Sequence, residues 1–90
     1  MAERKTVTVN GEEFPVLTNK LGSWKVFRML AAARKEEDEY EKAMDMLYIA
    51  LFITGLSEDE FVEKCGGDDA SVAQVLETAA TIIAEAYPKN

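Results

Sequence analysis

The dipeptide Asn10-Gly11 stands between two runs of residues in which apolar and polar side chains alternate. Asn-Gly is the strongest short signal for a two-residue type I′ turn, because both turn positions need a positive φ. The turn predicts a β-hairpin over residues 1–17 in which Val7 pairs with Phe14. One face of this hairpin carries Val7, Val9, Phe14 and Val16. An isolated two-stranded hairpin is marginal in water, so this face must pack on the rest of the chain.

Two helices are predicted next. Ser23 is the expected N-cap of the first, which continues to about Lys35. Its apolar stripe consists of Val26, Phe27, Leu30 and Ala31, with Trp24 at the margin. The second helix is expected over residues 38–54. Its core face carries Tyr40, Ala43, Met44, Leu47 and Leu51. From Met46 onward the other side of this helix is apolar as well, which is typical of a helix buried centrally or under a partner.

A capping box marks the start of a third, short helix. Ser57 and Glu60 have the spacing of its N-cap and N3 positions, and Leu56 and Phe61 have the spacing of the hydrophobic staple around them. The helix is expected to stop at Gly66-Gly67, because a left-handed C-terminal cap favours glycine.

The last helix has the most regular pattern. Asp68 or Asp69 is its expected N-cap, and it must end near Pro88. Its apolar face carries Val72, Val75, Leu76, Ala79, Ile82, Ile83 and Ala86. The chain is therefore predicted to be one α+β domain, mainly α, over residues 1–90, with the hairpin packed on a bundle of about four helices over residues 23–88.

Composition argues against several kinds of functional site. The chain has no histidine, which removes Ser-His-Asp and Cys-His catalytic pairs and histidine-ligated metals. The acids of residues 36–41 lack the alternating order around a glycine that calcium loops need. Cys65 is the one cysteine, so an internal disulfide cannot form, which suits a reducing cytoplasm. We therefore expect no enzyme activity, no catalytic residue, no metal and no cofactor.

A membrane location and a targeting segment are not expected either. The longest apolar run, residues 46–53, has eight residues, whereas a bilayer-spanning helix needs about 20. No basic stretch followed by a long apolar run precedes the hairpin pattern. The sequence thus predicts a cytoplasmic protein.

Charge is divided unevenly along the chain. Residues 1–35 carry seven bases and three acids, whereas residues 36–90 carry three bases and fourteen acids, for a net charge of −7. Such a dipolar surface could steer a partner or stack copies of the chain head to tail. Alternatively, the first helix lies against the acidic bundle and the charges cancel within the fold. Residues 68–88 contain no Lys or Arg, so direct binding to nucleic acid is not expected.

Five apolar residues are candidates for a partner-binding surface, because aromatic residues and methionine are enriched at interfaces. They are Trp24, Met29, Tyr48, Phe52 and Ile53. The same residue types also fill cores, so both roles remain open for each of them. A homo-oligomer also remains open.

The chain combines an N-terminal strand pair over residues 6–14, a helix that opens with Ser23-Trp24-Lys25-Val26-Phe27, and an acidic helical remainder. In this layout it resembles the small tail assembly chaperones of long-tailed bacteriophages and prophages. The resemblance implies a non-enzymatic protein of the bacterial cytoplasm. Such a chaperone covers the helical tape measure protein, keeps it in solution, and leaves as the tail tube protein polymerises around it.

Two other classes of function stay open beside this one. The first is a phage head–tail connector or another virion component, which would persist in the finished particle. The second is an acidic DNA mimic, which would inhibit a DNA-binding protein by occupying its DNA site and would be displaced in a salt-sensitive way.

Overall fold

A computed structural model describes residues 4–87. Within this range a two-stranded antiparallel hairpin precedes five α-helices. The strands are Arg4–Val9 (β1) and Glu12–Leu17 (β2), and the helices are Thr18–Leu21 (α1), Trp24–Lys35 (α2), Glu39–Thr54 (α3), Glu58–Lys64 (α4) and Val72–Ala86 (α5). The class is α+β, mainly α, as predicted, although the short α1 was not predicted. Residues 1–3 of the expected hairpin, and Pro88 with the two residues after it, lie outside the described residues.

The hairpin has the predicted turn and register. Asn10 and Gly11 have φ values of 51° and 82°, both positive as a type I′ turn requires. Val7 pairs with Phe14, and both are buried together with Val16. Strand β1 packs on α5 and strand β2 packs on α3, so the apolar face of the hairpin closes one side of the core.

Helix α3 is the central element. It contacts α2, α5 and β2, and its Ile49, Ala50 and Ile53 are fully buried. For Ile49 and Ile53 on its apolar back, burial within the fold is therefore correct, whereas Met46 and Phe52 are half-buried. The buried residues of α3 all lie between positions 47 and 54. Tyr40, expected in the core, lies in the first turn outside this section and is 63% exposed.

Helix α2 is rotated relative to the expected stripe. Val26 and Ala33 are its buried residues, whereas Phe27 is 59% exposed and the stripe that included it is wrong. Helix α2 contacts α3, and its side that carries Val26 and Ala33 faces the core, whereas its side that carries Phe27 meets solvent. In a close-packed interior, a small side chain such as that of Ala33 lets a helix approach its neighbour more closely than a phenylalanine would.

Helix α4 begins at the predicted capping box. The Ser57 hydroxyl accepts a hydrogen bond from the Glu60 backbone N–H at 3.1 Å, and the Glu60 carboxylate accepts one from the Ser57 N–H at 2.9 Å. This second bond lowers the pKa of the Glu60 carboxyl, because it favours the ionised form. Phe61 of the staple is fully buried and lies against Phe14, with ring centroids 5.3 Å apart.

The expected cap of α5 is wrong. Asp68 and Asp69 lie in a 3-10 turn, Gly67–Asp69, that follows α4. Ser71 caps α5 instead, and it forms a second capping box with Gln74. The helix ends at Ala86, two residues before Pro88.

The apolar face of α5 is buried over most of its length. Ala79, Ile82, Ile83 and Ala86 are in the core. Val72, expected on the same face, is the first residue of the helix and is 59% exposed. None of the helices in residues 4–87 is both long enough and apolar enough to cross a bilayer.

The corrected cap generates a first prediction. Ser71→Ala removes the acceptor for the Gln74 N–H, so we expect it to lower the free energy of unfolding by about 1 kcal/mol. Asp69→Ala removes an exposed carboxylate outside α5 and should change stability by less than about 0.5 kcal/mol. Urea denaturation of both variants measures this. A larger loss for Asp69→Ala than for Ser71→Ala would contradict the assigned cap.

The pair formed by Phe14 and Phe61 generates a second prediction. Phe61→Ala should lower the free energy of unfolding by about 3–5 kcal/mol, because it leaves a cavity where the hairpin meets α4. Val72→Ala, at an exposed apolar position, is the control and should cost less than about 1 kcal/mol. Similar midpoints of chemical denaturation for the two variants would contradict the described core.

Candidate partner-binding surface

The outer side of α2 carries an exposed aromatic pair. Trp24 and Phe27 are three residues apart, so they lie side by side on the helix. Their ring centroids are 5.3 Å apart with an interplanar angle of 29°, and the two residues are 70% and 59% exposed. The Arg28 guanidinium lies 6.0 Å from the Trp24 ring centroid. The beginning of α2 therefore presents an exposed, stacked aromatic pair with a cation over one of its rings.

Two adjoining open depressions form an apolar groove that runs along α2 from this aromatic pair. Its first section, of about 320 Å³, is lined by Phe27, Leu30, Ala31, Arg34 and Lys35. Its second section, of about 420 Å³, lies between α2, α3 and α5 and shares Leu30 and Arg34 with the first. The second section is lined by Leu30, Ala33, Arg34, Lys42, Met46, Ile83, Ala84 and Tyr87. We call the aromatic pair and the two groove sections together the α2 surface.

The charge of the α2 surface is positive. Arg34, Lys35 and Lys42 line its groove sections, Arg28 lies at Trp24, and no acid lines either section. Within residues 4–87 no base of α2 pairs with an acid, and the ion pair seen there joins Lys64 to Glu12 at 4.0 Å. Lys20 and Lys25 instead lie over the Phe52 ring, 4.8 and 4.9 Å from its centroid. The alternative in which α2 cancels its charge against the acidic helices is therefore not supported by direct contacts.

The five expected surface residues have different environments. Trp24 is exposed on the α2 surface, and Tyr48 is 48% exposed on α3. Met29 and Phe52 are half-buried and pack against the core, and Phe52 also lies under the two lysines. Ile53 has no exposed area, so of the two roles left open for it the core role is correct. The reason is that α3 is enclosed on several sides by the rest of the fold.

Sequence reasoning missed Phe27 as a surface residue. Its apolar side chain and its helical spacing fitted a core stripe, so the basic residues near it in the sequence were not taken as a sign of exposure. The signal that could have found it is the spacing Trp24–Phe27 with Lys25 and Arg28 between and beside them. Two aromatic residues one helical turn apart, with basic residues beside them, are as consistent with an exposed aromatic pair as with a core stripe.

The described residues contain no cluster suited to metal binding: nowhere in residues 4–87 do three Cys, Asp or Glu side chains come together in that way. Cys65 is half-buried beyond the end of α4. Burial raises the pKa of its thiol, and a hydrogen bond with Thr78 opposes this shift only in part. The thiol is therefore a poor nucleophile at neutral pH.

No protein-family model matches the sequence, and neither a curated protein nor a solved structure matches it significantly.

The environment of Cys65 generates a prediction. Because the pKa of the thiol is raised, the folded protein holds less thiolate at a given pH than the unfolded chain. We expect alkylation by iodoacetamide at neutral pH to be slower in the native protein than in urea, with a pH midpoint above that of the unfolded chain. Mass spectrometry of timed samples measures both rates. Faster alkylation of the native protein would show an activated thiol.

Proposed function

We propose that this protein is a non-enzymatic tail assembly chaperone of a long-tailed bacteriophage or prophage, acting in the cytoplasm of the bacterial host. Its partner is the helical tape measure protein, and the tail tube protein displaces it as the tube polymerises. The observation that carries the proposal is the stacked pair of Trp24 and Phe27, which the core does not use. The layout of the chain, which resembles these chaperones, supports the same function.

An exposed aromatic pair beside an apolar groove suits a partner that is itself an amphipathic helix. Such helices lay apolar anchors into a groove at positions i, i+3 or i+4, and i+7. The α2 surface offers the pair at one end and the groove between α2, α3 and α5 at the other. A tape measure protein exposes long apolar helical stripes before its tube encloses them, and such stripes aggregate unless they are covered.

The expected strength of one contact also fits a chaperone. Burying one large aromatic side chain is worth about 1.5–3 kcal/mol, so Trp24 and Phe27 together supply about 3–6 kcal/mol before the cost of association. A single contact of this size is weak and reversible. Many copies bound along one long partner hold it collectively, and each copy can still be displaced. The net charge of −7 would keep the loaded complex in solution.

The proposal predicts which proteins copurify with the chain. Affinity purification from the native host, with the phage or prophage induced, should recover a very long helical protein and a tail tube subunit. Mature virions should lack the chain. Its presence in finished particles would favour a head–tail connector or another virion component. Recovery of a DNA-binding enzyme alone would favour an acidic DNA mimic.

A double variant tests the surface itself. Trp24→Ala with Phe27→Ala should reduce recovery of the tape measure protein by about tenfold or more, because buried aromatic anchors dominate interface energies. Tyr40→Ala with Val72→Ala is the matched control, since these two residues are similarly exposed, at 63% and 59%. Circular dichroism and thermal melting confirm that both variants fold. Full recovery by the first variant, or an equal loss in the control, contradicts the assignment of the surface.

A further inference from the structure

We infer that the α2 surface selects an acidic amphipathic helix, with apolar anchors in the groove and carboxylates at Arg34 and Lys42. This inference rests on the proposed function for the biological identity of the partner. The chemistry of the bound segment follows from the groove alone, and it can be tested without the tape measure protein.

The shape of the groove fits a row of apolar side chains. Phe27 and Arg34 are seven residues apart, so the part of α2 that borders the groove is about 10 Å long. A helix laid beside it presents anchors at i, i+4 and i+7 over the same length. Apolar residues of three helices line the second section of the groove: Leu30, Ala33, Met46, Ile83 and Ala84. At about 420 Å³ this section is large enough to take one or two of the anchors.

The charges at the groove specify what flanks those anchors. Arg34 from α2 and Lys42 from α3 line the second section, and Lys35 lines the first section. No acidic residue lines either section. The side chains of Arg34 and Lys42 are exposed and take part in no hydrogen bond or ion pair with the rest of residues 4–87. Carboxylates on both sides of an apolar stripe would pair with these cations, whereas lysines in the same places would be repelled.

A second apolar groove has the opposite character. It lies near the starts of α3 and α5, and the exposed Tyr40 and Val72 line it. Glu58 also lines it, and no base does. An acidic helix is therefore disfavoured there and favoured at the α2 surface. On this contrast we expect charge, in addition to apolar area, to decide which groove a helix occupies.

Two synthetic peptides test the inference. Both are fluorescein-labelled helices of about 16 residues on one Ala-rich host, with Leu at i, i+4 and i+7. Glu flanks the Leu positions in the first peptide, and Lys replaces each Glu in the second. Fluorescence anisotropy with the full chain should show the Glu peptide binding about tenfold tighter or more at about 50 mM NaCl. The preference should shrink at about 500 mM NaCl because salt screens exposed charges.

A charge-reversal variant locates the binding. Arg34→Glu with Lys42→Glu should lose about tenfold or more in affinity for the Glu peptide and gain affinity for the Lys peptide. Lys20→Glu with Lys25→Glu is the matched control, because it makes the same change in net charge near Phe52, outside the groove. It should change the affinity less than about threefold. An equal loss in the control would attribute the effect to net charge and overturn the assignment.

The other outcomes are equally decisive. Equal affinity of the unaltered chain for the two peptides would overturn the inference that the groove selects acidic helices. This comparison does not depend on the folding of any variant. Sedimentation velocity would reveal self-association of the chain that depends on its concentration. If the Glu peptide suppressed such self-association, a second copy of the chain would be the occupant of the groove, and the inference would be overturned. The proposed function fails separately: a chain that prefers the Glu peptide but recovers no tape measure protein keeps the inference and loses the function.

Discussion

The structure depends on enclosing α3. Its section from position 47 to 54 is apolar on nearly every side, and Ile49, Ala50 and Ile53 have no exposed area. A helix of this kind is stable in water only when other elements surround it. Helices α2 and α5 and strand β2 do so, and the hairpin gains from α3 and α5 the support that two strands lack alone. The core is therefore cooperative, because each covering element needs α3 as much as α3 needs it.

This enclosure also decides which side of α2 meets solvent. Helix α2 contacts α3 and contributes Val26 and the small Ala33 to the core. Trp24 and Phe27 are left outside. Leaving a large aromatic side chain exposed forgoes about 1.5–3 kcal/mol of burial. Because the core does not include this pair, removing the aromatic rings should leave the fold largely intact, as the proposed partner-binding role requires.

The sequence was most informative where one local interaction decides the backbone. The turn at Asn10-Gly11 determined the register of the hairpin, and the capping box of Ser57 and Glu60 determined the start of α4. The cap of α5 failed because two local signals competed: the glycines could continue into a 3-10 turn that includes the aspartates, and Ser71 with Gln74 was then the better cap. Alternatives of similar local energy are separated only by the packing of the whole chain.

Which side of a helix faces the core was harder to predict than where the helix lies in the sequence, and the candidate surface depends on the side that faces solvent. Phe27 was assigned to the core although it is exposed. For Trp24 and Ile53 the sequence left both roles open, and the structure exposes the first and buries the second. Apolar residues occupy both sides of α2 and α3, so periodicity alone cannot say which side faces inward. Charge gave information that hydropathy did not. Basic residues beside aromatic residues on a helix indicate its solvent side, because packing that side against apolar neighbours would remove the cations from water. Residues 14–35 contain no acid that could pair with these bases. On that argument Arg28 and Arg34 keep their side of α2 in water, and the aromatic pair beside them stays exposed with it.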